Sequence, residues 1–248
     1  QWRDDRGVQL CLRRRHQMGI RERWEKWAPL VRKKAGLGVI NQQLEPDYYD
    51  KQYKFFDVVV VGAGPAGLQA ALTSALDGCE VLLVDENPTL GGSLNYARFD
   101  AEGLRGQQLR DQLLQQINAN NNITSMTDAV CNAWFADNWL PIIRGKRLYK
   151  VRAKQVILCT GALEQQAVFH NNDLPGVMMS SAAQRLIHLY GIRPGSAAVI
   201  VTGNNDGYAN ALDLLDADVQ VKAIVDLRDT PTQDAISKAI AARGARIL

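Results

Sequence analysis

The chain has 248 residues, 46% hydrophobic and 22% charged, so it is long enough to bury a sizeable core and has the composition of a soluble globular protein. Its four cysteines lie far apart without a CxxC pair, which predicts no zinc or iron–sulfur site and favours a reduced, cytoplasmic protein. The net charge of +3 is unevenly distributed. Residues 1–34 hold eleven Lys and Arg against four Asp and Glu, a net of +7, so the remainder carries −4.

Residues 1–54 are predicted to form a basic arm. Apolar side chains spaced three and four apart predict an amphipathic helix over residues 20–35, with Ile20, Trp24, Trp27 and Val31 on one face. Basic residues with interleaved tryptophans also occur in nucleic-acid-binding proteins, but no groove-reading or base-stacking module accompanies them. We therefore expect a solvated or subunit-contacting helix and no nucleic-acid partner.

The next segment predicts a strand, a helix and a second strand. Residues 56–61 end in a run of four valines, which suits a strand buried on both faces of a parallel sheet. A helix over residues 65–77 and a strand over residues 79–85 would complete a βαβ unit. Residues 58–76 carry no charge over a membrane-spanning length, but the glycines and Pro65 between strand and helix argue against a transmembrane helix. No membrane partner is expected.

The rest of the chain predicts further α/β structure. We expect a helix over residues 104–117, antiparallel strands over 129–139 and 147–152, a buried strand over 155–159 and a helix over 180–190. A second unit would follow, with strands over 197–202 and 219–225, a helix over 208–215 and the start of a strand at 244–248. The fold class is therefore α/β: a Rossmann-like, FAD/NAD(P)-binding, three-layer unit over residues 55–195, then a truncated nucleotide-binding-like unit over 196–248.

The turn GAGPAG after the first strand carries the predicted chemistry. Gly62 permits the tight turn, Gly64 lets the backbone approach a pyrophosphate, and Gly67 lets helix and strand pack closely. N–H groups and the positive end of the helix dipole would bind the phosphate charge, and Pro65 suits the first helical turn. A glycine motif alone is weak evidence, but this one follows a β-branched strand and precedes Asp85 at the end of the next strand. The alternative is a tight strand–helix turn without a ligand.

Asp85 or Glu86 is expected to accept hydrogen bonds from the adenosine ribose. The following Asn87-Pro88 supplies no cation for a 2′-phosphate, which disfavours NADP. A second glycine loop, Leu90-Gly91-Gly92-Ser93, would add N–H donors and the Ser93 hydroxyl near the pyrophosphate, or it is an ordinary surface turn.

Thr160 and Gly161 follow the buried strand at residues 155–159. Ligands lie at the carboxyl ends of parallel strands, so this turn would lie beside the cofactor, unless it only leads the chain out of the domain. No catalytic residue is predicted, because the three histidines have no nucleophile or carboxylate partner nearby in sequence.

The second unit has a counterpart turn, Gly203-Asn204-Asn205-Asp206-Gly207-Tyr208. Asn205 stands where the second glycine of the motif belongs and would obstruct a pyrophosphate, and Tyr208 stands at the third and would obstruct close packing. Asp226 still ends the following strand. We interpret this second site as degenerate.

Several longer stretches resemble the alpha subunit of heterotetrameric sarcosine oxidase and related amine dehydrogenase, opine dehydrogenase and hydrogen cyanide synthase subunits. They are WEKWAPLVRKKAGLG, DVVVVGAGPAGLQAAL, VLLVDENPTLGGSL, VILCTGALEQ and NNDLPGVMMSSAAQRLIHLYG. The resemblance runs from about residue 24 to the end. The chain lacks that family's folate-binding, aminomethyltransferase-like region and the return segment of the first domain, so we expect it to be a fragment.

The resemblance implies an oxidoreductase subunit that binds NAD in its first Rossmann site. It places NAD around Gly62, Ala63, Gly64, Ala66, Gly67, Asp85, Glu86 and Ser93. The complex would contain beta, gamma and delta subunits and demethylate its small amine substrate, sarcosine, at an FAD. Electrons would pass through FMN to oxygen, and the one-carbon unit to tetrahydrofolate. The fragment alone would be inactive.

Two alternatives to this function stay open from the sequence. The first is an FAD-dependent amine or disulfide-type reductase, because FAD and NAD present the same ADP half to a glycine turn. The second is a non-catalytic scaffold whose arm binds partner proteins and whose nucleotide site is vestigial.

Overall fold

A computed structural model describes Trp24, residues 27–36, Asn41, Gln43, Glu45 and residues 48–98, 100–101, 104–231 and 234–248. The chain divides into two compact units, Gln1–Tyr48 and Tyr49–Leu248. In the first, residues 27–34 are helical, which confirms the predicted arm helix over those positions. The rest of the prediction for residues 20–35 falls largely outside the described residues.

The second unit contains five α-helices and eleven strands among its described residues. In chain order they are β1 Asp50–Val61, α1 Pro65–Leu76, β2 Val81–Val84, β3 Asp100–Ala101, β4 Leu104–Arg105, α2 Gly106–Ala119, β5 Ile123–Met126, β6 Ala129–Cys131, β7 Trp139–Arg144, β8 Arg147–Leu158, α3 Ser180–Tyr190, β9 Ala197–Thr202, α4 Asp206–Asp216, β10 Gln220–Asp226, α5 Ala235–Ala242 and β11 Arg246–Ile247. No described helix is long and apolar enough to span a membrane.

The larger sheet has the strand order β5-β2-β1-β8-β7-β6. The pairs from β5 to β8 are parallel, and β8, β7 and β6 form an antiparallel meander. Side chains of β1, α1, β2 and α2 form one hydrophobic core, and the opposite face of the sheet packs on the meander. This arrangement confirms the predicted α/β fold class and the first βαβ unit. It also brings the carboxyl ends of β1, β2 and β8 to one edge.

Two strand predictions in this sheet are wrong. Residues 147–152 and 155–158 belong to one strand, β8, because it pairs with β1 from Asp50↔Arg147 to Val61↔Leu158. Of the predicted strand over residues 129–139, only Ala129–Cys131 is extended as β6, and β7 begins at Trp139. Asp137 and Asn138, just before β7, have φ angles of 57° and 48°, and this left-handed conformation is incompatible with an extended strand that continues up to β7.

The smaller sheet is parallel, with the order β11-β10-β9. Its core includes Tyr208, Ile224 and Ile240, and its strands and helix α4 confirm the predicted second βαβ unit. Helix α3 begins where the carboxylate of Glu164 accepts hydrogen bonds from the Ser180 and Ser181 backbone N–H groups, at 2.8 and 2.7 Å. The predicted domain boundary between residues 195 and 196 stays a prediction.

Candidate functional site

The first glycine turn joins β1 to α1, and at two of its three glycines the neighbouring backbone is too close to admit a side chain. Gly62 has a φ of 99°, and a Cβ there would overlap the carbonyl oxygen of Cys159 at the end of β8. A Cβ on Gly67 would overlap the carbonyl oxygen of Gly62. These two positions therefore need glycine for the fold itself, as the sequence predicts.

Gly64 differs, because nothing lies within 4 Å of a Cβ placed on it. It is the N-cap of α1, no side chain caps that end, and Pro65 follows in the first turn. A helix leaves its first N–H groups without intrahelical partners, and they carry the positive end of the dipole. The turn thus offers open space beside a positive helix end, which suits an anion such as a pyrophosphate.

Asp85 is 7% exposed, and its carboxylate is hydrogen-bonded to the first glycine turn. Its Oδ2 accepts a hydrogen bond from the Ala63 backbone N–H at 2.6 Å, and its Oδ1 accepts from the backbone and side-chain nitrogens of Asn87 at 2.8 and 2.9 Å. Glu86 is exposed. That Asp85 or Glu86 accepts from a ribose stays a prediction, and the sequence did not reveal that Asp85 fixes the glycine turn. No sequence pattern predicts that Asn87 donates hydrogen bonds to Asp85.

The second glycine loop lies directly on the first. The Gly91 backbone N–H donates to the Ala63 carbonyl oxygen at 2.8 Å, and a Cβ on Gly92 would lie 2.7 Å from Gly64 Cα. Gly91 and Gly92 have φ angles of 116° and 52°, which glycine adopts without strain. Ser93 follows and is exposed. The second glycine loop and the first glycine turn therefore form one continuous surface, which we call the glycine-turn surface.

The residues that follow β8 also lie at the glycine-turn surface. Cys159 donates its backbone N–H to the Val61 carbonyl oxygen at 2.7 Å, so Thr160 and Gly161 leave the sheet beside Gly62. Both are exposed. The predicted residues of the turn, of the end of β2, of the second loop and of the end of β8 thus lie at one edge of the sheet. Pro65 and Ala66 begin helix α1 there.

No group of His, Cys, Asp and Glu side chains that could hold a metal ion occurs in the part of the chain that the structure describes. His170 is exposed. His188 has its Nε2 3.4 Å from Asp213 Oδ1. His16 lies outside the described residues. Cys79, Cys131 and Cys159 are free thiols, and burial raises the pKa of Cys159 beside the turn, which makes it a poorer nucleophile.

The second turn has a different construction. A Cβ on Gly207 would overlap the Thr202 side chain, so Gly207 provides the close helix–strand contact. Tyr208 is 1% exposed, packs in the core and donates from its hydroxyl to Asp226 Oδ2 at 2.8 Å. The sequence-based idea that Tyr208 obstructs close packing is therefore wrong, because Gly207 makes that contact instead.

Arg228 binds the same carboxylate at both oxygens. Its Nε donates to Asp226 Oδ1 at 2.9 Å and its Nη2 to Oδ2 at 2.7 Å. The hydrogen bonds from Arg228 and, after them, Tyr208 hold the pKa of Asp226 well below its usual range. This carboxylate is thus engaged by side chains of its own unit.

Comparison with known proteins agrees with this construction. The family model for the pyridine nucleotide-disulphide oxidoreductases matches residues 56–246. The chain belongs to this family. Members of the pyridine nucleotide-disulphide oxidoreductase family bind FAD or NAD-type cofactors on Rossmann-like domains, and this agrees with the predicted fold class.

The curated relatives include the sarcosine oxidase alpha subunit of Rhizobium meliloti strain 1021, which is 35% identical over 87% of this chain and 23% of its own length. An opine oxidase subunit of Agrobacterium tumefaciens strain Ach5 is 28% identical over 73% of this chain and 39% of its own. The resemblance predicted from the sequence is confirmed. The chain spans about a quarter of the length of the sarcosine oxidase subunits that it matches.

Among solved structures, L-proline dehydrogenase from P. horikoshii has a TM-score of 0.61 at 24% identity. The match covers 77% of this chain and 40% of that one. At this identity the likeness supports the family fold and says nothing of the substrate.

Proposed function

We propose that this chain binds the ADP half of NAD in an oxidoreductase subunit of the sarcosine oxidase alpha type. The observation that carries the proposal is the meeting of both glycine loops at Gly64, where a side chain would have open space and where helix α1 begins. A tight turn that served only packing would not need glycine at Gly64. Gly62 and Gly67, by contrast, are explained by packing alone.

The ribose would be read by Asp85 and Glu86. A carboxylate has about four acceptor sites, and Asp85 already uses three of them on Ala63 and Asn87. It therefore has about one left for a ribose hydroxyl, and the exposed Glu86 is the candidate acceptor for the second. When bound, NAD would supply hydride acceptance, and the residues of this chain would bind and orient its adenosine end.

FAD is the alternative cofactor, because it carries the same ADP half. Disulfide-type chemistry is less well supported, since the sequence has no CxxC pair and the described cysteines are free thiols. The visible spectrum of the purified chain distinguishes the two cofactors. A flavin band from this chain without partner subunits would favour FAD.

The proposal extends to the whole complex through the 35% identity to a sarcosine oxidase alpha subunit. Sarcosine would be demethylated at an FAD on a beta subunit, with FMN at the interface of the two subunits and gamma and delta subunits completing the tetramer. This chain would hold a cofactor and take part in assembly, because the carboxylates Asp85 and Asp226 at its glycine turns are engaged in hydrogen bonds and burial raises the pKa of the Cys159 thiol.

A single substitution tests the nucleotide site. Gly64→Val would fill the space that a pyrophosphate needs, and the protein would still fold because nothing lies within 4 Å of the new Cβ. We expect the variant to retain no nucleotide when a denatured sample is analysed by chromatography. Gly203→Val is the matched control, because it adds the same side chain at the second turn, again with nothing within 4 Å. Normal nucleotide content in Gly64→Val would overturn the proposed site.

A further inference from the structure

The segment Gly91–Arg98, which we call the bridge segment, connects the glycine turns to the second βαβ unit. At its start, the Gly91 backbone N–H donates to Ala63 and Gly92 rests on Gly64. At its end, Arg98 Nε donates to Asp213 Oδ1 of α4 at 3.0 Å, and Arg98 Nη2 pairs with Asp216. The segment is therefore tied to a different βαβ unit at each end.

Asp213 is the buried partner in this connection, since its side chain is only 2% exposed. Gln184 Nε2 donates to its Oδ2 at 2.7 Å, and His188 Nε2 lies 3.4 Å from its Oδ1. A buried carboxylate is costly unless it is paired and hydrogen-bonded. Arg98 is the permanently charged partner of Asp213, so the pair has a strong preference for this one arrangement.

A second contact ties the middle of the bridge segment to α3. The Arg185 guanidinium lies 4.8 Å from the centre of the Tyr96 ring, and its Nη2 donates to the Tyr96 hydroxyl at 3.3 Å. Helix α3 also carries Gln184 and His188, which contact Asp213. The bridge segment thus contacts two helices, α3 and α4, that contribute no residue to the first glycine turn or to the second glycine loop.

We propose that Arg98 and Asp213 form a latch that positions the second glycine loop against Gly64 and so sets the affinity for the dinucleotide. They are positioning residues, because Arg98 is six residues from Gly92, a span of up to about 20 Å. The close approach of Gly92 to Gly64 leaves little tolerance, and a displacement of about 1 Å changes the N–H groups offered to a phosphate. This inference rests on the proposed nucleotide site.

The latch makes the second βαβ unit a contributor to binding although the carboxylate at its own turn, Asp226, is already bound by Arg228 and Tyr208. Coupling of this kind is reciprocal, so a nucleotide bound at the glycine turns must also stabilise the Arg98–Asp213 contact. Hydrogen exchange of residues 91–97 in wild-type protein should therefore slow when ADP binds.

Three variants test the latch, with ADP as the probe and titration calorimetry as the measurement. Arg98→Met should weaken ADP binding at least about 5-fold, the lower end of typical coupling energies. Arg98→Lys keeps the ion pair and should stay within about 2-fold of wild type. Arg243→Met is the matched control, because Arg243 pairs with Asp216 at 2.6 Å in the same cluster but does not touch the bridge segment.

A combined Arg98→Met, Asp213→Asn variant separates positioning from folding. It removes the buried charge that Arg98→Met leaves without its cation, so it should regain thermal stability but keep the weak ADP binding. Recovery of binding in the combined variant would assign the effect to folding and overturn the latch, as would binding within 2-fold of wild type in Arg98→Met.

Failure of the proposed nucleotide site can be distinguished from failure of the latch. If wild-type protein binds none of ADP, NAD and FAD, the nucleotide site itself fails. Exchange of residues 91–97 then decides the latch: faster exchange in Arg98→Met but not in Arg243→Met supports it, and equal rates in all three proteins overturn it.

Discussion

Replacement of Asp85 by asparagine tests both roles of the carboxylate at the end of β2. Its two oxygens face donors only, at Ala63 and at Asn87. An asparagine keeps one acceptor oxygen, which in its better orientation faces the two Asn87 donors. Its NH₂ group then faces the Ala63 backbone N–H, and a buried donor loses its partner.

That loss costs about 1–3 kcal/mol of the free energy of unfolding. At about 2–4 °C per kcal/mol for a chain of this size, the melting temperature should fall by about 2–12 °C. The same exchange removes the charged acceptor for a ribose hydroxyl, so NAD binding should weaken by about 1–3 kcal/mol, or roughly 5- to 150-fold.

Scanning calorimetry and a binding titration on the same samples separate the two effects. Glu86→Gln is the matched control, because Glu86 is exposed. It should leave the melting temperature unchanged and reduce affinity only if Glu86 reads the ribose. Unchanged stability and an unchanged dissociation constant in Asp85→Asn would refute both roles of Asp85.

The remaining predictions concern the second turn and the arm. The Asp226 pKa is depressed in the folded state, mainly by Arg228, so this pair's stabilisation is complete above the unfolded pKa of about 4 and is lost as pH falls below it. The unfolding free energy of wild type, measured in urea, should therefore drop more between pH 7 and pH 3 than that of Arg228→Met; equal drops would contradict this. Trp24→Ala with Trp27→Ala should weaken co-purification with a beta-type flavoprotein subunit, whereas intact assembly with a lower melting temperature of the isolated chain would place these side chains in an internal core. The chain alone should consume no oxygen with sarcosine above a heat-killed control, and consumption would show catalytic groups that the sequence did not reveal.

The first glycine turn was predictable because each of its signals is local. Four valines give a buried strand, Gly62 and Gly67 stand where the packing admits no side chain, and Asp85 ends the next strand. The first half of β1 was not predictable in the same way. Tyr53 and Phe55 are 67% and 69% exposed, so this half of the strand lacks a buried, apolar face.

Other features depend on residues far apart in the sequence. The strand β8 continues without a break because β1 runs beside it for its whole length, and no pattern within residues 147–158 reports that pairing. Arg98 and Asp213 are 115 positions apart. Glu164, which caps α3, looks like an ordinary loop residue until the helix is placed beside it.

The two turns show why a strand–turn–helix pattern alone does not establish a nucleotide site. Asp85 and Asp226 both end a parallel strand beside a glycine-containing turn, and both are largely buried. Asp85 accepts hydrogen bonds from the uncharged Ala63 and Asn87, with no cation among its hydrogen-bond partners. Asp226 accepts them from Arg228 at both oxygens and from Tyr208, so its charge is neutralised within the protein. A ribose hydroxyl would have to displace an ion pair at Asp226, whereas at Asp85 it adds to a carboxylate that still has an acceptor site. The difference in partners, more than the glycine count, is what makes the first turn the better candidate for the binding site.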